Sequence, residues 1–376
     1  MTRLRCLAAS FLFCCAALHA APVVTVIATG LSNPRGIAFA PNGQLYVTEA
    51  GRGGNGACRF LGDGQNACYG ETGALTRIDP AGIAAPVRVI AGLPSLAAAS
   101  GFGAVGPHAI AFAGAGNGQL VIGLGTVAAA RQNLGPKAWM FGRVMQVSVD
   151  GALKAGGDVA AFEAANNPVP VTSDSNPYGV AALPGQTVVA DAGANALFQV
   201  APNGAVSTLA VFETRMIAAP PFLQLPPGTM IPLQAVPTSV VRGPDGALYA
   251  GQLTGFPFPQ GAANVYRVGP GGGTPIVYAS GFTNIVALAF DARGTLYVLQ
   301  IGNGFAGGGG PPLAGPGRLI RVAQDHTQTV VYEGLFYPGG LAIGKDGAAY
   351  VTNLGIVPGP IPPFPSGGQV LRITLD

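Results

Sequence analysis

Apolar residues in this chain occur in short runs that alternate with polar residues and end at glycine, asparagine, aspartate or proline. A period of two is typical of half-buried β-strands, and these runs are too short for a helical repeat. One unit of this pattern recurs six times along the chain. Each copy predicts an apolar strand, a turn, a second strand, a variable insertion and a third strand.

The copies share their strands and differ mainly at the turn. Four are clear: PRGIAFAPNGQLYVTEAG from Pro34, TSVVRGPDGALYAGQLTG from Thr238, NIVALAFDARGTLYVLQIG from Asn284 and PGGLAIGKDGAAYVTNLG from Pro338. Two have a rebuilt turn: PHAIAFAGAGNGQLVIGLG from Pro107 and NPYGVAALPGQTVVADAG from Asn176. The clear turns place glycine where a hairpin requires a positive φ, as in Asn42-Gly43.

Third strands follow every copy, at GALTRIDP, GRVMQVSV, ALFQVAP, NVYRVGP, RLIRVAQ and QVLRITL. Five copies also show a candidate fourth strand: VRVIAGL from Val87, VAAFEAA from Val159, STLAVF from Ser207, PIVYASGF from Pro275 and TVVYEGLF from Thr329. The sixth copy has none, whereas VVTVIATGL from Val23 fits this pattern at the other end of the chain. We expect that segment to pair into the last copy and close a ring.

Four-stranded units cannot bury both of their faces alone, but radial stacking buries them and leaves only short edges. The sequence therefore predicts an all-β fold: a six-bladed β-propeller with four-stranded blades, its N-terminal strand completing the last blade. We assign residues 22–376 to this single domain. An outer-membrane barrel is the alternative, but it requires longer strands and aromatic girdles.

Composition agrees with this fold class. The chain contains 59 glycines and 33 prolines, which break helices, and only 9% of its residues are charged. The net charge is +3, and no basic cluster is interleaved with aromatic residues. We therefore expect no nucleic-acid partner.

The N-terminal segment has the features of an export signal. Arg3 and Arg5 precede an apolar run over residues 7–18, and Ala20 and Ala21 supply small residues for cleavage. The run is too short to span a bilayer as a helix. We predict a signal peptide over residues 1–21 and a secreted or periplasmic protein without a membrane span.

Cysteine usage fits an oxidising compartment. Three of the five cysteines lie in the predicted signal, which leaves Cys58 and Cys68 around a glycine-rich stretch. A disulfide that closes a short surface loop is the favoured interpretation. Zinc binding is disfavoured because no histidine lies nearby in the sequence.

A series of motifs in fixed order covers nearly the whole predicted domain: NPRGIAFAPNGQLYVTEAGRGGNGACRF, CYGETGALTRI, GPHAIAF, EAANNP, DSNPYG, ADAGANAL, AVPTSV, GQLTGFPFPQGAANVYRV, GFTNI and YPGGLAIG. In these motifs the chain resembles the ScyD/ScyE family. That family is named for genes that accompany biosynthesis of the pigment scytonemin, and its members look like NHL or gluconolactonase-type propellers. The resemblance implies a propeller fold and export. It implies no reaction.

Two sets of equivalent positions predict a polar funnel at one mouth of the channel. Residues close to the start of the first strands are Arg35, His108, Asn176, Thr238, Asn284 and Tyr337. Residues toward the end of the second strands are Glu49, Leu124, Asp191, Gln252, Gln300 and Asn353. Recurring polar groups in a chain with few charges favour a lined site for a small-molecule ligand.

Each of these residues also has a structural interpretation. Asparagine before proline is an ordinary turn former, and His108 could act as a base, as a ligand or only as a hydrogen-bonded packing residue. Glu49 and Asp191 could form a carboxylate pair across the channel, or could pair with Arg35 and join neighbouring blades.

The insertions offer further candidates. Trp139 is interpreted as a packing residue or as the rim of a pocket. GFPFPQG from Gly255 and GPIPPFP from Gly359 either form a hydrophobic collar at one mouth or pack as exposed loops. A protein partner could bind through these loop faces.

Two functions remain open at this stage. The leading hypothesis is a scaffold that binds a small organic ligand in the funnel without transforming it. The alternative is a metal-dependent hydrolase of lactones or esters, resembling gluconolactonase-like propellers. Calcium would then be held by oxygens drawn from Glu49, Asp191, Asn284 and Asn353. A quinone-dependent sugar dehydrogenase is suggested by fold analogy alone.

Overall fold

The computed structural model describes residues 21–114, 116–148, 151–169, 174–302 and 316–375. The predicted signal therefore lies almost wholly outside the described residues. No helix within these ranges is long and apolar enough to cross a membrane.

Six antiparallel sheets form the blades. Each blade has four strands, which follow one another from the central channel outward. The chain begins with β1 (Val24–Leu31) and continues into the first blade, with β2 (Pro34–Phe39), β3 (Leu45–Glu49), β4 (Cys58–Phe60), β5 (Asn66–Ile78) and β6 (Val87–Ala97). Strand β4 is an addition that pairs with an extension of β5.

The second and third blades follow in chain order. The second has β7 (Pro107–Ala113), β8 (Asn117–Ile122), β9 (Arg143–Val147) and β10 (Leu153–Asp158), followed by helix α1 (Val159–Asn166). The third has β11 (Pro177–Leu183), β12 (Gln186–Asp191), β13 (Ala196–Val200) and β14 (Val206–Val211). A separate hairpin follows, with β15 (Arg215–Ala218) and β16 (Met230–Leu233).

Three more blades complete the ring. The fourth has β17 (Pro237–Arg242), β18 (Leu248–Gln252), β19 (Ala263–Val268) and β20 (Ile276–Phe282). The fifth has β21 (Ile285–Phe290), β22 (Leu296–Gln300), β23 (Gly317–Val322) and β24 (Gln328–Leu335), and the sixth has β25 (Gly340–Ile343), β26 (Ala349–Asn353) and β27 (Gly368–Ile373). Short 3₁₀ turns span Ala128–Arg131, Ala138–Met140 and Pro221–Leu223.

Closure of the ring occurs as the sequence predicts. Strand β1 pairs antiparallel with β27, with Val24 opposite Ile373 and Leu31 opposite Gly368. The sixth blade thus takes its outer strand from the beginning of the chain, and the six-bladed propeller prediction is confirmed.

One predicted strand is wrong. The segment VAAFEAA is helix α1, and the outer strand of the second blade is β10, which precedes it. Asp158 caps the helix by accepting a hydrogen bond from the Ala161 amide. Ion pairs from Arg131 and Arg143 hold the same carboxylate at 2.9 and 2.5 Å. The alanine-rich sequence suits a helix once this cap is in place.

The hydrophobic core lies between blades rather than within them. One cluster of buried side chains, which includes Leu75 and Phe141, joins the first and second blades. Five more clusters join the remaining neighbouring pairs around the ring. Each blade therefore depends on both of its neighbours for burial of its two faces.

Small side chains let the inner strands approach each other closely. A Cβ atom added to Gly36 would lie 2.7 Å from the Cα of Ala109 in the next blade. The six equivalent positions are Gly36, Ala109, Gly179, Ser239, Ala287 and Gly340. Residues with larger side chains at these positions would push the first strands apart and widen the channel.

The predicted disulfide is confirmed. Cys58 and Cys68 lie directly opposite each other on β4 and β5 and are bonded. The bridge closes the short hairpin that carries the glycine-rich stretch.

Candidate functional site

A central channel runs between the first strands of all six blades and has a volume of about 510 Å³. Its lining includes Ile37, Ile110, Val180, Val240, Leu288 and Leu341 at equivalent positions. These side chains are largely buried between the blades, so polar atoms contribute nearly as much of the channel surface as apolar atoms do. Of the eleven polar residues predicted for the funnel, His108 and Thr238 belong to the channel lining.

His108 is held between the second and third blades. Its Nδ1 lies 3.1 Å from the carbonyl oxygen of Pro177. A carbonyl oxygen only accepts, so Nδ1 carries the proton and Nε2 keeps a free lone pair. The residue is 2% exposed, and Nε2 has no hydrogen-bond partner among the described residues.

The protonation state of His108 follows from its surroundings. Burial lowers the pKa of His108 to about 3, and the positive charge of Arg35 acts in the same direction. The imidazole is therefore neutral near pH 7, and its Nε2 is a hydrogen-bond acceptor.

Three residues surround the His108 ring. The Tyr178 ring lies 4.6 Å away, centroid to centroid. A Cβ atom on Gly123 would overlap the His108 imidazole and lie 2.6 Å from Oδ1 of Asn176. Because Gly123 has no side chain, His108 and Asn176 can both pack against it. The Oδ1 atom of Asn176 accepts a hydrogen bond from the Leu124 amide.

Arg35 is buried beside this group. Its side chain is 8% exposed, and Nη2 donates to the carbonyl oxygen of Ala104 at 2.9 Å. Its Nε has no hydrogen-bond partner in the described part of the chain.

On the far side of the channel, Thr238 occupies the position equivalent to His108. Its hydroxyl donates to the Ile285 carbonyl oxygen at 2.6 Å, so it also joins two blades. The neighbouring Ser239 lines the channel, and its hydroxyl is buried without a partner among the described residues.

Glu49 lies outside the channel lining and is occupied by internal contacts. Its carboxylate accepts hydrogen bonds from Arg88 at 2.8 and 2.9 Å and from the Ser32 amide at 2.7 Å. The Thr76 hydroxyl is a further donor. The suggested pairing with Arg35 is therefore wrong, because the arginine that Glu49 binds is Arg88 on β6.

Asp191 is likewise enclosed. It accepts hydrogen bonds from the Ser175 hydroxyl and the Asn176 amide, both at 2.6 Å, and from the amides of Gly193 and Ala194 at 3.1 Å. Burial raises the pKa of Asp191 to about 6, although these hydrogen bonds act in the opposite direction. The carboxylate fixes the linker that enters the third blade.

The amides at the ends of the other second strands also accept hydrogen bonds from backbone N–H groups. The pairs are Gln252 with Asn264 at 3.1 Å, Gln300 with Thr283 at 2.6 Å and Asn353 with Phe336 at 2.7 Å. In the fifth and sixth blades the donor lies in the linker to the first strand, as it does at Glu49. The recurrence of polar residues here thus has a structural cause.

Asn284 and Tyr337 lie two positions earlier than Arg35 in the repeat, in register with Asn33. Both have positive φ, 50° and 45°, as does Asn33 at 50°. The turn-forming interpretation of this position is thereby supported, since asparagine tolerates the left-handed region. Asn284 is fully buried, and neither its amide nitrogen nor its oxygen has a partner among the described residues.

The residues proposed for calcium do not fit a cation, because only Asn284 of the four has a side-chain oxygen without a partner among the described residues. The carboxylates of Glu49 and Asp191 and the amide oxygen of Asn353 already accept the hydrogen bonds given above, and Arg88 neutralises Glu49. The described ranges also hold no group of three or more acidic, histidine or cysteine side chains arranged for a metal. We derive no step through a metal.

The insertion loops expose aromatic side chains. Trp139 is 45% exposed, with the Arg143 guanidinium 5.9 Å from its ring. Phe256 is 52% exposed and lies 6.2 Å from Phe222 of the separate hairpin. In the other predicted collar segment, Phe364 lies 6.4 Å from Phe102.

Comparison of the six repeats does not identify Tyr178, Ser239 and Gly123 as residues of the site. Aligning the repeats on the proline that begins the first strand would have placed Tyr178 in register with Arg35 and His108. Ser239 stands at a position otherwise occupied by glycine and alanine, which is a visible signal. Gly123 has no such signal in the sequence, because its importance depends on the side chains that pack against it in the folded chain.

Similarity to known proteins is confined to three-dimensional structure. No protein-family model matches the sequence, and no curated protein is significantly similar to it. The ScyD/ScyE resemblance is therefore not confirmed by these comparisons.

Solved structures do match along most of the chain. A structural-genomics protein of unknown function from Bacteroides thetaiotaomicron is 10% identical, with a TM-score of 0.55, over 94% of this chain and 76% of that one. A streptogramin B lyase is 13% identical, with a TM-score of 0.49, over 94% and 98%. A luciferin-regenerating enzyme is 11% identical, with a TM-score of 0.48, over 94% and 95%. At these identities the similarity concerns the fold alone.

Proposed function

We propose that this protein binds a small organic molecule in its central channel and does not transform it. The carrying observation is the channel of about 510 Å³ that the first strands of all six blades line, with His108 in its wall. The Nε2 atom of His108 is buried without a hydrogen-bond partner among the described residues. This volume is typical of small-molecule sites, and a few polar groups in the wall fix the orientation of a ligand. A neutral Nε2 favours a ligand that donates a hydrogen bond.

Binding without chemistry is supported by the state of the titratable groups. A histidine with a pKa of about 3 is a weak general base near neutral pH. Glu49 and Asp191, the carboxylates considered for catalysis, are occupied by hydrogen bonds within the fold. The hydrolase alternative has no comparable supporting contact.

We further infer that the protein acts outside the cytoplasm. The charged and apolar segments of residues 1–21 support export, and the Cys58–Cys68 disulfide is of a kind that persists in oxidising compartments. The family resemblance points the same way. A protein partner at the loop faces remains part of this proposal.

The test is calorimetric titration with benzyl alcohol and with benzyl methyl ether, which lacks the hydroxyl donor. We expect wild type to prefer the alcohol by about five- to tenfold, the worth of one hydrogen bond. His108→Phe should abolish that preference while keeping a ring in place.

Thr352→Val is the matched control. Thr352 donates to the Arg35 carbonyl oxygen at 2.7 Å, so this variant also loses one bond between blades but keeps His108. It should retain the preference for the alcohol. Absence of binding of either compound to wild type would count against the proposed function.

A further inference from the structure

Arg35 carries a buried charge without a counter-ion. Its side chain is 8% exposed and makes one hydrogen bond, to a neutral carbonyl oxygen. Within the described ranges, no carboxylate forms an ion pair with it, and its Nε is unpaired. Burial of an unpaired charge is costly, so an arginine in this state indicates a missing anion.

Other arginines in the molecule show the usual arrangement. Arg88 binds Glu49 at 2.8 Å, and Arg131 binds Asp158 at 2.9 Å. Arg88, with a side chain 49% exposed, is more accessible than Arg35 and yet has a carboxylate partner. Arg35 therefore differs from these two in lacking an acid among the described residues. Arg215 shares with Arg35 an unpaired Nε and a hydrogen bond to a carbonyl oxygen, but it is only half-buried.

The position of Arg35 in the fold points to a ligand in the channel as the molecule that carries the anion. Arg35 stands at the start of β2, in register with His108 at the start of β7, and Gly36 directly after it lines the channel. The positive charge of Arg35 adds to the effect of burial in lowering the pKa of the His108 imidazole. Arg35 itself is not among the channel-lining residues, but its neighbours in sequence and in register, Gly36 and His108, are.

We propose that Arg35 binds the carboxylate of an organic acid whose apolar body occupies the channel. This inference rests on the proposed function, because it assigns the charge of the same ligand. A guanidinium binds a carboxylate through two parallel hydrogen bonds, and the one hydrogen bond that Arg35 makes in the described part of the chain uses one of its five N–H donors.

The primary test compares benzoate with benzamide, which has nearly the same shape and no charge, by titration of the wild-type protein. We expect benzoate to bind at least tenfold more tightly at low salt, and the difference to narrow as salt is raised. Formate is titrated in parallel, because a bare anion could also neutralise Arg35. It should bind at least tenfold more weakly than benzoate.

Variants of Arg35 locate the effect. Arg35→Met should lower benzoate affinity tenfold or more and remove the preference for benzoate over benzamide. Arg35→Lys should also weaken benzoate binding, because an ammonium cannot form the two parallel hydrogen bonds, but it should keep part of that preference through its charge. The control is Lys137→Met, since Lys137 is a cation already paired with Glu71 at 3.0 Å, and it should leave benzoate binding unchanged. If Arg35→Met does not fold, the wild-type comparison and Arg35→Lys still decide the question.

The outcomes separate the two proposals. Binding of benzyl alcohol, with benzoate no tighter than benzamide, would overturn the carboxylate assignment and leave the channel proposal standing. Equal affinity for formate and benzoate would overturn it as well, by showing a site for a bare anion. If none of the organic probes binds wild type, the proposed function itself fails.

Discussion

At the scale of single residues, His108 shows how one position serves both fold and site. Its Nδ1 joins two blades, while its Nε2 has no hydrogen-bond partner among the described residues. Thr238 performs only the first of these tasks, because its one hydroxyl is occupied by the next blade. Of these two equivalent residues, only His108 has a second polar atom that the fold does not use.

The pKa of His108 predicts a pH dependence of stability. The pKa is about 3 in the folded chain and 6.5 without the fold, so the folded state binds fewer protons between these values. The free energy of unfolding should therefore fall as pH falls from about 6.5 toward 3. We expect this contribution to be on the order of 5 kcal/mol.

Denaturant unfolding at several pH values measures it. His108→Phe should lose this part of the pH dependence, whereas Thr352→Val should keep it. Parallel pH profiles in wild type and His108→Phe would show that the histidine is not held neutral by burial.

At the scale of elements, helix α1 buries a carboxylate that its surroundings do not satisfy. Glu163 is 1% exposed, and both of its oxygens lack partners in the described part of the chain. Burial raises the pKa of Glu163 to about 7, and the charges of Asp191 and Asp174 add to the shift. The folded state thus binds an extra proton above pH 4.5, and stability should fall as pH rises through 7.

Glu163→Gln tests this element directly. The variant should be more stable than wild type at pH 8, by on the order of 1–2 kcal/mol, and the advantage should shrink at pH 5. Thermal unfolding at the two pH values is the measurement. A gain of equal size at both would exclude ionisation of Glu163 as its cause.

Elements also show where prediction from the sequence succeeds and fails. Turn glycines such as Gly43 and strands of period two could be predicted, because they depend on neighbours in the sequence. Helix α1 could not, because its cap at Asp158 is held by Arg131, 27 residues away. Likewise the sequence marks Glu49 as polar, but its partner Arg88 is 39 residues away on another strand.

At the scale of the whole molecule, stability depends on closing the ring. Strand β1 supplies Ile27, Ala28 and Leu31 to the core between the sixth and first blades. A chain that begins at Ser32 would leave β27 as an open edge and expose this core. We expect a loss of more than about 5 kcal/mol, comparable with the whole stability of a typical domain.

Val26→Ser provides the control for this prediction, since Val26 is on the same strand and 50% exposed. It should change stability by less than about 0.5 kcal/mol. Thermal unfolding of the two variants beside the full chain makes the comparison. A shortened chain that melts within a few degrees of the full chain would mean that β1 does not close the ring.

The most direct test of the central claim is the crystal structure of the complex with 4-bromobenzyl alcohol, with the ligand located by bromine anomalous scattering. We predict one bromine peak in the channel between the first strands, with the ligand hydroxyl about 2.7–3.2 Å from Nε2 of His108. Bromine found only on the outer faces of the blades or at the insertion loops would contradict a ligand site in the channel.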